Sequence, residues 1–109
     1  MASAQVVAML RAAIEGIKAR GRSDVGDKTL LDALVPATES IERCVAAGLD
    51  VPGTLRAAAQ VARERAEATR SMLAKRGRAA YTGERSIGTL DAGAVAVAVM
   101  FEALAGPGE

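Results

Sequence analysis

Apolar residues recur at helical spacing from Ala4 to Arg20: Val6, Leu10, Ile14 and Ile17 form one stripe, with Arg11, Glu15 and Lys18 on other faces. This predicts a first helix with Ser3 as a candidate cap, Gly16 as a weak point and Gly21 as the stop after a basic turn. A second stripe of Leu30, Leu34, Ile41 and Val45 predicts a helix that Gly48 ends. Asp27 is its predicted start, with a carboxylate able to accept the free N–H groups of Lys28 to Leu30. Pro36 falls inside the pattern and predicts a kink or short break near Leu34 to Pro36. Asp50-Val51-Pro52 opens a third helix, with proline tolerated in its first turn. Leu55, Ala58, Ala62, Ala66, Thr69 and Leu73 give it a narrow stripe of mostly small residues between arginines and glutamates. The fourth helix starts at Asp91 and is apolar on all sides from Ala92 to Phe101, which predicts a central, buried element. Only Ala94 to Phe101 resembles a strand, and the cap before it and the tail after it favour helix. The predicted fold class is all-α.

Between the third and fourth helices, Gly77-Arg78-Ala79-Ala80-Tyr81-Thr82-Gly83-Glu84-Arg85-Ser86-Ile87-Gly88 has no periodicity of its own. Connectors this long are usually functional or disordered. This one is poor in Pro, Ser, Gln and Lys, which favours a shaped loop. Arg78 and Arg85 can each fork onto phosphate oxygens, and glycines admit a ligand close to the backbone. Gly93 falls in the first turn of a helix, where free N–H groups attract anions or polar groups. The competing local reading pairs Glu84 with an arginine and uses Tyr81 to plug a gap; from the loop alone the two stand even. The earlier connector, Gly21 to Thr29, nearly matches a phosphate-binding glycine loop, but Asp27 is inserted before the lysine and a helix precedes it. It reads as a turn between helices.

Composition narrows the chemistry. The 109 residues suggest one domain. Half are apolar but Tyr81 and Phe101 are the only aromatics, so the core must be built from Ala, Val, Leu, Ile and Met. Such a core buries little area per residue, which predicts completion by another chain or domain. A net charge of +1 argues against nucleic acid or a membrane surface as partner. The absence of histidine removes His-based catalysis and His metal ligands, and Cys44 is the only cysteine. The longest apolar run, Ala92 to Phe101, is too short to span a bilayer, and no signal-type run opens the sequence. A cytoplasmic setting is expected.

Gly26-Asp27-Lys28-Thr29-Leu30-Leu31-Asp32-Ala33-Leu34-Val35-Pro36-Ala37, the Gly77 to Gly88 segment and Asp91-Ala92-Gly93-Ala94 together resemble the L subunit, or nucleotide-binding domain, of dihydroxyacetone kinases. Both long motifs occur in the family's order and spacing, and the match runs along nearly the whole chain. The resemblance implies an antiparallel α-helical barrel holding ADP or ATP with magnesium at one end, of which this chain matches the C-terminal half. ATP-dependent members donate phosphate to dihydroxyacetone on a partner K domain. In phosphotransferase-dependent members bound ADP is recharged by a phosphocarrier subunit. The implied nucleotide contacts are Gly21, Leu30, Arg78, Asp91, Ala92 and Gly93, with Arg78 stabilising charge on the transferring phosphoryl group.

The sequence also departs from the family pattern. The family domain is about twice this length, and its first half carries an Asp-rich magnesium motif and a glycine–serine phosphate loop. Asp24, Asp27, Asp32 and Asp91 do not reproduce the acidic spacing, so magnesium is expected only with ligands from a missing half or a partner chain. Leu30, Thr89 and Ala92 replace the methionine, histidine and proline often found in the family. Two functional classes remain. One is the nucleotide-binding part of a dihydroxyacetone kinase, inactive alone. The other is a degenerate helical module acting by self-association or protein interaction. Nucleic-acid binding through the arginine-rich third helix is disfavoured by the interspersed acids.

Overall fold

The computed structural model describes residues 3–21, 28–71 and 90–106. These form α1 (Ser3–Gly21), α2 (Leu31–Ala46), α3 (Val51–Ala68), a single 3₁₀ turn (Thr69–Ser71) and α4 (Ala92–Ala105). Among the described residues no strand occurs, and the fold class is all-α as the periodicities predict.

The turn between α2 and α3 is short because both of its ends are closed locally. Gly48 takes a left-handed φ of 79°, Leu49 N–H reaches Cys44 O at 3.0 Å, and Gly48 N–H reaches Val45 O at 3.1 Å. This pair of bonds satisfies carbonyls that the helix end leaves open. Two residues on, the Asp50 carboxylate accepts Gly53 N–H at 2.8 Å and caps α3, with Pro52 in the first turn as expected. Only Ala47 to Asp50 separate the two helices, which makes α2 and α3 antiparallel neighbours.

α3 is the middle of the bundle and packs against both α2 and α4, while α2 also touches α4 and α1 lies against α2. The small-residue stripe explains the position of α3: Ala58, Ala62 and Ala66 recur every four residues and are completely buried. Their methyl groups let neighbouring backbones approach closely. Leu31, Ala33, Ala37, Ala94 and Ala98 share one core with them, and Phe101 and Ile41 supply bulk. α1 contributes one completely buried side chain, Ile14, with Val7, Leu10 and Ile17 packed part-way against the core.

Three expectations are corrected. α2 begins at Leu31 and not at Asp27, which lies outside the described residues. Lys28 has φ 58°, a left-handed conformation that helical backbone excludes. Of the kink or short break expected at Pro36, the break does not occur: α2 runs through it to Ala46. α4 is not buried all round. Ala94, Val97, Ala98 and Phe101 face the core, but Val99, Met100 and Leu104 are 52%, 50% and 60% exposed. An evenly apolar sequence has no polar side to mark its outer face, so periodicity could not reveal that α4 has neighbours on one flank only.

Candidate functional site

The antiparallel order gathers the start of α2, the end of α3 and the start of α4 at one end of the bundle. Thr29 and Asp32 form a reciprocal cap at the start of α2. Thr29 N–H donates to Asp32 Oδ2 at 2.8 Å, and Leu31 N–H donates to Thr29 Oγ1 at 3.2 Å. Asp32 N–H reaches Thr29 O at 3.0 Å, and the N–H groups of Ala33 and Leu34 both reach Leu30 O. The first-turn donors of α2 are therefore used internally. Asp32 is 2% exposed and Lys28, just before it, is 3% exposed.

The start of α4 is built differently. Asp91 is its cap: Oδ2 accepts Ala94 N–H at 2.8 Å and the Asp91 carbonyl accepts Val95 N–H at 3.0 Å. The N–H groups of Ala92 and Gly93 bond no acceptor among the described residues. Two adjacent helix starts thus differ: the first-turn donors of α2 are used around Thr29 and Leu30, whereas two at the start of α4 have no acceptor among the described residues. Open first-turn N–H groups at the positive end of a helix favour anionic or strongly accepting groups.

Leu30 and Gly93 join the two starts. A Cβ on Gly93 would lie 3.0 Å from Leu30 Cβ, 3.2 Å from Asp91 Oδ2 and 3.5 Å from Leu30 N. An added Cβ would require Leu30 or Asp91 to give by a few tenths of an ångström, which glycine avoids. The structure therefore brings together Leu30, Asp91, Ala92 and Gly93, four of the six positions predicted to contact a nucleotide. Gly21 is the last residue of α1. Arg78 lies outside the described residues, as do Tyr81, Glu84 and Arg85.

Sequence reasoning missed Thr29, Asp32 and Thr69. For the first two the signal was present: Thr29-Leu30-Leu31-Asp32 is a capping-box pattern, passed over in favour of Asp27. Thr69 appeared only as a member of the α3 stripe, with no local signal for its bond to the α4 cap. Its hydroxyl accepts Asp91 N–H at 2.9 Å from 22 positions away, tying the end of α3 to the cap of α4.

Among the described residues no group of three or more His, Cys, Asp or Glu side chains is placed to hold an ion. No described helix is long and apolar enough to cross a membrane. At the opposite end of the bundle, Val6, Ile41, Val45, Leu49, Val51, Thr54 and Leu55 line an apolar groove of about 260 Å³.

A family model described as the DAK2 domain matches residues 1–106. The ADP-binding subunit DhaL of the PEP-dependent dihydroxyacetone kinase of Escherichia coli is 43% identical over 97 residues, covering 89% of this chain and 46% of that protein. A D-erythrulose kinase of Mycolicibacterium smegmatis is 44% identical over 97 residues, covering 89% of this chain and 17% of that protein. The human triokinase/FMN cyclase is 34% identical, again over 89% of this chain and 17% of its own length. The chain spans less than half the length of each of these relatives.

Proposed function

Since the chain belongs to the DAK2-domain family, we propose that it is the nucleotide-binding part of a dihydroxyacetone kinase, taking ADP or ATP at the α2–α4 end of the bundle. The observation that carries this reading is the meeting of Leu30, Asp91, Ala92 and Gly93 at the start of α4, where Gly93 lies close against Leu30. The fit of a nucleotide rests on the same features. Gly93 keeps the wall beside Leu30 thin, and Ala92 and Gly93 N–H can donate to acceptor atoms of the ligand. Leu30 offers an apolar edge to a ring, and Asp91 holds the helix start rigid around them.

Bound nucleotide would supply the transferable phosphoryl group, or the acceptor for one. Of the residues in this chain, Arg78 is the one proposed to meet the charge that develops on it, through a guanidinium fork. Any metal that bridges the phosphates is proposed to take its ligands from a partner chain or from a further segment of the domain. We place this chain as the C-terminal half of a family-length domain, inactive alone and cytoplasmic. Its partners would be a K-type subunit presenting dihydroxyacetone and, in phosphotransferase-dependent systems, a phosphocarrier subunit.

A second reading is favoured by the exposed apolar residues of α1 and α4. Met9, Val99, Met100 and Leu104 are each at least half exposed. A catalytically degenerate module that works by self-association would use that surface.

Titration calorimetry with Mg-ADP, beside light scattering, separates the two. Nucleotide binding supports the kinase part. Association without any nucleotide binding supports the degenerate module. In a binding-competent preparation, Arg78→Ala is expected to weaken ADP by roughly 1.5–3 kcal/mol, the range for a hydrogen bond to a charged group. Unchanged affinity would remove Arg78 from the site.

A further inference from the structure

Thr69 is completely buried at the C-terminal end of α3, where the helix tightens into its last 3₁₀ turn. A buried hydroxyl there must be satisfied, and this one is satisfied twice. It donates to Ala66 O in its own helix and accepts Asp91 N–H at 2.9 Å. The second bond closes the base of the connector that holds Arg78, because Thr69 and Asp91 stand on either side of it. It also fixes the one residue that caps α4. Asp91 contributes three groups to this corner: N–H to Thr69, Oδ2 to Ala94 N–H, and carbonyl oxygen to Val95 N–H. With Asp91 pinned on all three, the next two N–H groups, of Ala92 and Gly93, are held in place without bonding partners of their own among the described residues.

We propose that Thr69 is a positioning residue of the candidate nucleotide site: its hydroxyl latches Asp91 to the end of α3 and so sets where the Ala92 and Gly93 N–H groups meet a ligand. The inference rests on the nucleotide reading for the ligand, but the latch itself belongs to the ligand-free chain. Thr69 contacts the cap and not the ligand, so its effect passes through Asp91. Valine matches threonine in shape and lacks both hydrogen-bonding functions, whereas serine keeps the hydroxyl and loses a methyl group.

The test compares the wild-type chain with Thr69→Val and Thr69→Ser in two measurements. Amide hydrogen exchange by NMR, without ligand, reads the latch. Thr69→Val is expected to speed exchange at Asp91 by about 10-fold or more relative to the buried amides of Ala58 and Ala62, and Thr69→Ser to restore it. Acceleration by the same factor at all of these amides would mean a general loss of stability, and no acceleration would mean no latch; either overturns the proposal. Calorimetric titration with Mg-ADP reads the consequence. Thr69→Val is expected to weaken binding by about 10-fold with Thr69→Ser close to wild type. Binding by Thr69→Val equal to wild type would overturn the positioning role. If the wild-type chain alone binds no Mg-ADP, the same three chains are titrated after reconstitution with the rest of a family-length domain; no binding there ends the nucleotide reading, and the exchange ratio alone then decides whether Thr69 positions the α4 start.

Discussion

Gly16 and Gly93 are both helical glycines, yet an added methyl group would meet opposite surroundings. At Gly16, on an exposed stretch of α1, nothing lies within 4 Å of the position a Cβ would take. Gly16→Ala therefore gains helix propensity without a clash, and is expected to raise stability by roughly 0.5–1 kcal/mol in urea unfolding. At Gly93 the same methyl would crowd Leu30 Cβ at 3.0 Å and Asp91 Oδ2 at 3.2 Å, neither of which is the free end of a long side chain. Gly93→Ala is expected to lower stability by about 1 kcal/mol or more, because crowding outweighs propensity. A Gly93→Ala chain as stable as Gly16→Ala would show that the two helix starts stand further apart than the structure places them. The sequence identified Gly93 as a helix-start glycine; it did not contain the reason, since Leu30 is 63 positions away and the approach exists only once α2 and α4 are packed.

Each outer helix is joined to its inner neighbour by a two-pronged ion pair. Arg11 of α1 donates through Nε at 3.0 Å and Nη2 at 2.6 Å to Glu42 of α2. Arg63 of α3 donates through the same two groups, at 2.9 and 2.8 Å, to Glu102 of α4. Hydrogen bonding from the guanidinium holds the carboxyls of Glu42 and Glu102 below the usual glutamate range, against a smaller opposing effect of partial burial. A carboxyl with a depressed folded pKa adds stability that is complete above its ordinary value, roughly 4.3. That contribution is lost as the pH falls through the folded value. Both pairs are part exposed, so solvent screening limits each to about 0.2–1 kcal/mol. Glu42→Gln is expected to cost no more than this at pH 7, and to flatten the loss of stability below pH 4.3. An acid limb as steep as that of wild type would show that Glu42 does not titrate in the pair. The elements themselves were legible to different degrees for the same reason that these pairs were not. The stripe of α1 alternates with charge and gave its span closely; that of α3 was read to Leu73, which lies outside the described residues, while the α-helix ends at Ala68. The cap of α2 was misplaced because two acids, Asp27 and Asp32, stand close to its start, and only the fold shows Asp32 bonding Thr29 N–H. Of the candidate site, Leu30, Asp91, Ala92 and Gly93 were proposed through motif resemblance and are gathered by packing; Thr69 was placed in the α3 stripe, but its bond across 22 positions has no local pattern.

At the scale of the molecule, α4 carries an apolar sequence that four core-facing residues do not exhaust. Val97 is 7% exposed and lies against the core with Ala94, Ala98 and Phe101, while Met100, three positions on, is half exposed. The two positions separate folding from assembly. Val97→Asp would bury a carboxylate among apolar side chains, so the chain is expected to lose its cooperative unfolding transition. Met100→Glu places a charge on the open face and is expected to leave helix content and the unfolding midpoint nearly unchanged. If the open face is covered by a second copy or by the rest of a family-length domain, wild type is expected to scatter light as more than one 11.1 kDa chain or to bind the missing half. Met100→Glu should then abolish that association. The same variant also bears on the nucleotide, since the candidate site sits at the end of α4 and Met100 two turns further along it. Loss of association with Mg-ADP binding retained would place the whole pocket within one chain. Loss of both would mean that the pocket is finished by whatever covers α4, and the ligands for any bridging metal should be sought on that covering chain. A wild-type monomer, unchanged by Met100→Glu, would leave Val99, Met100 and Leu104 facing water and remove the argument for completion.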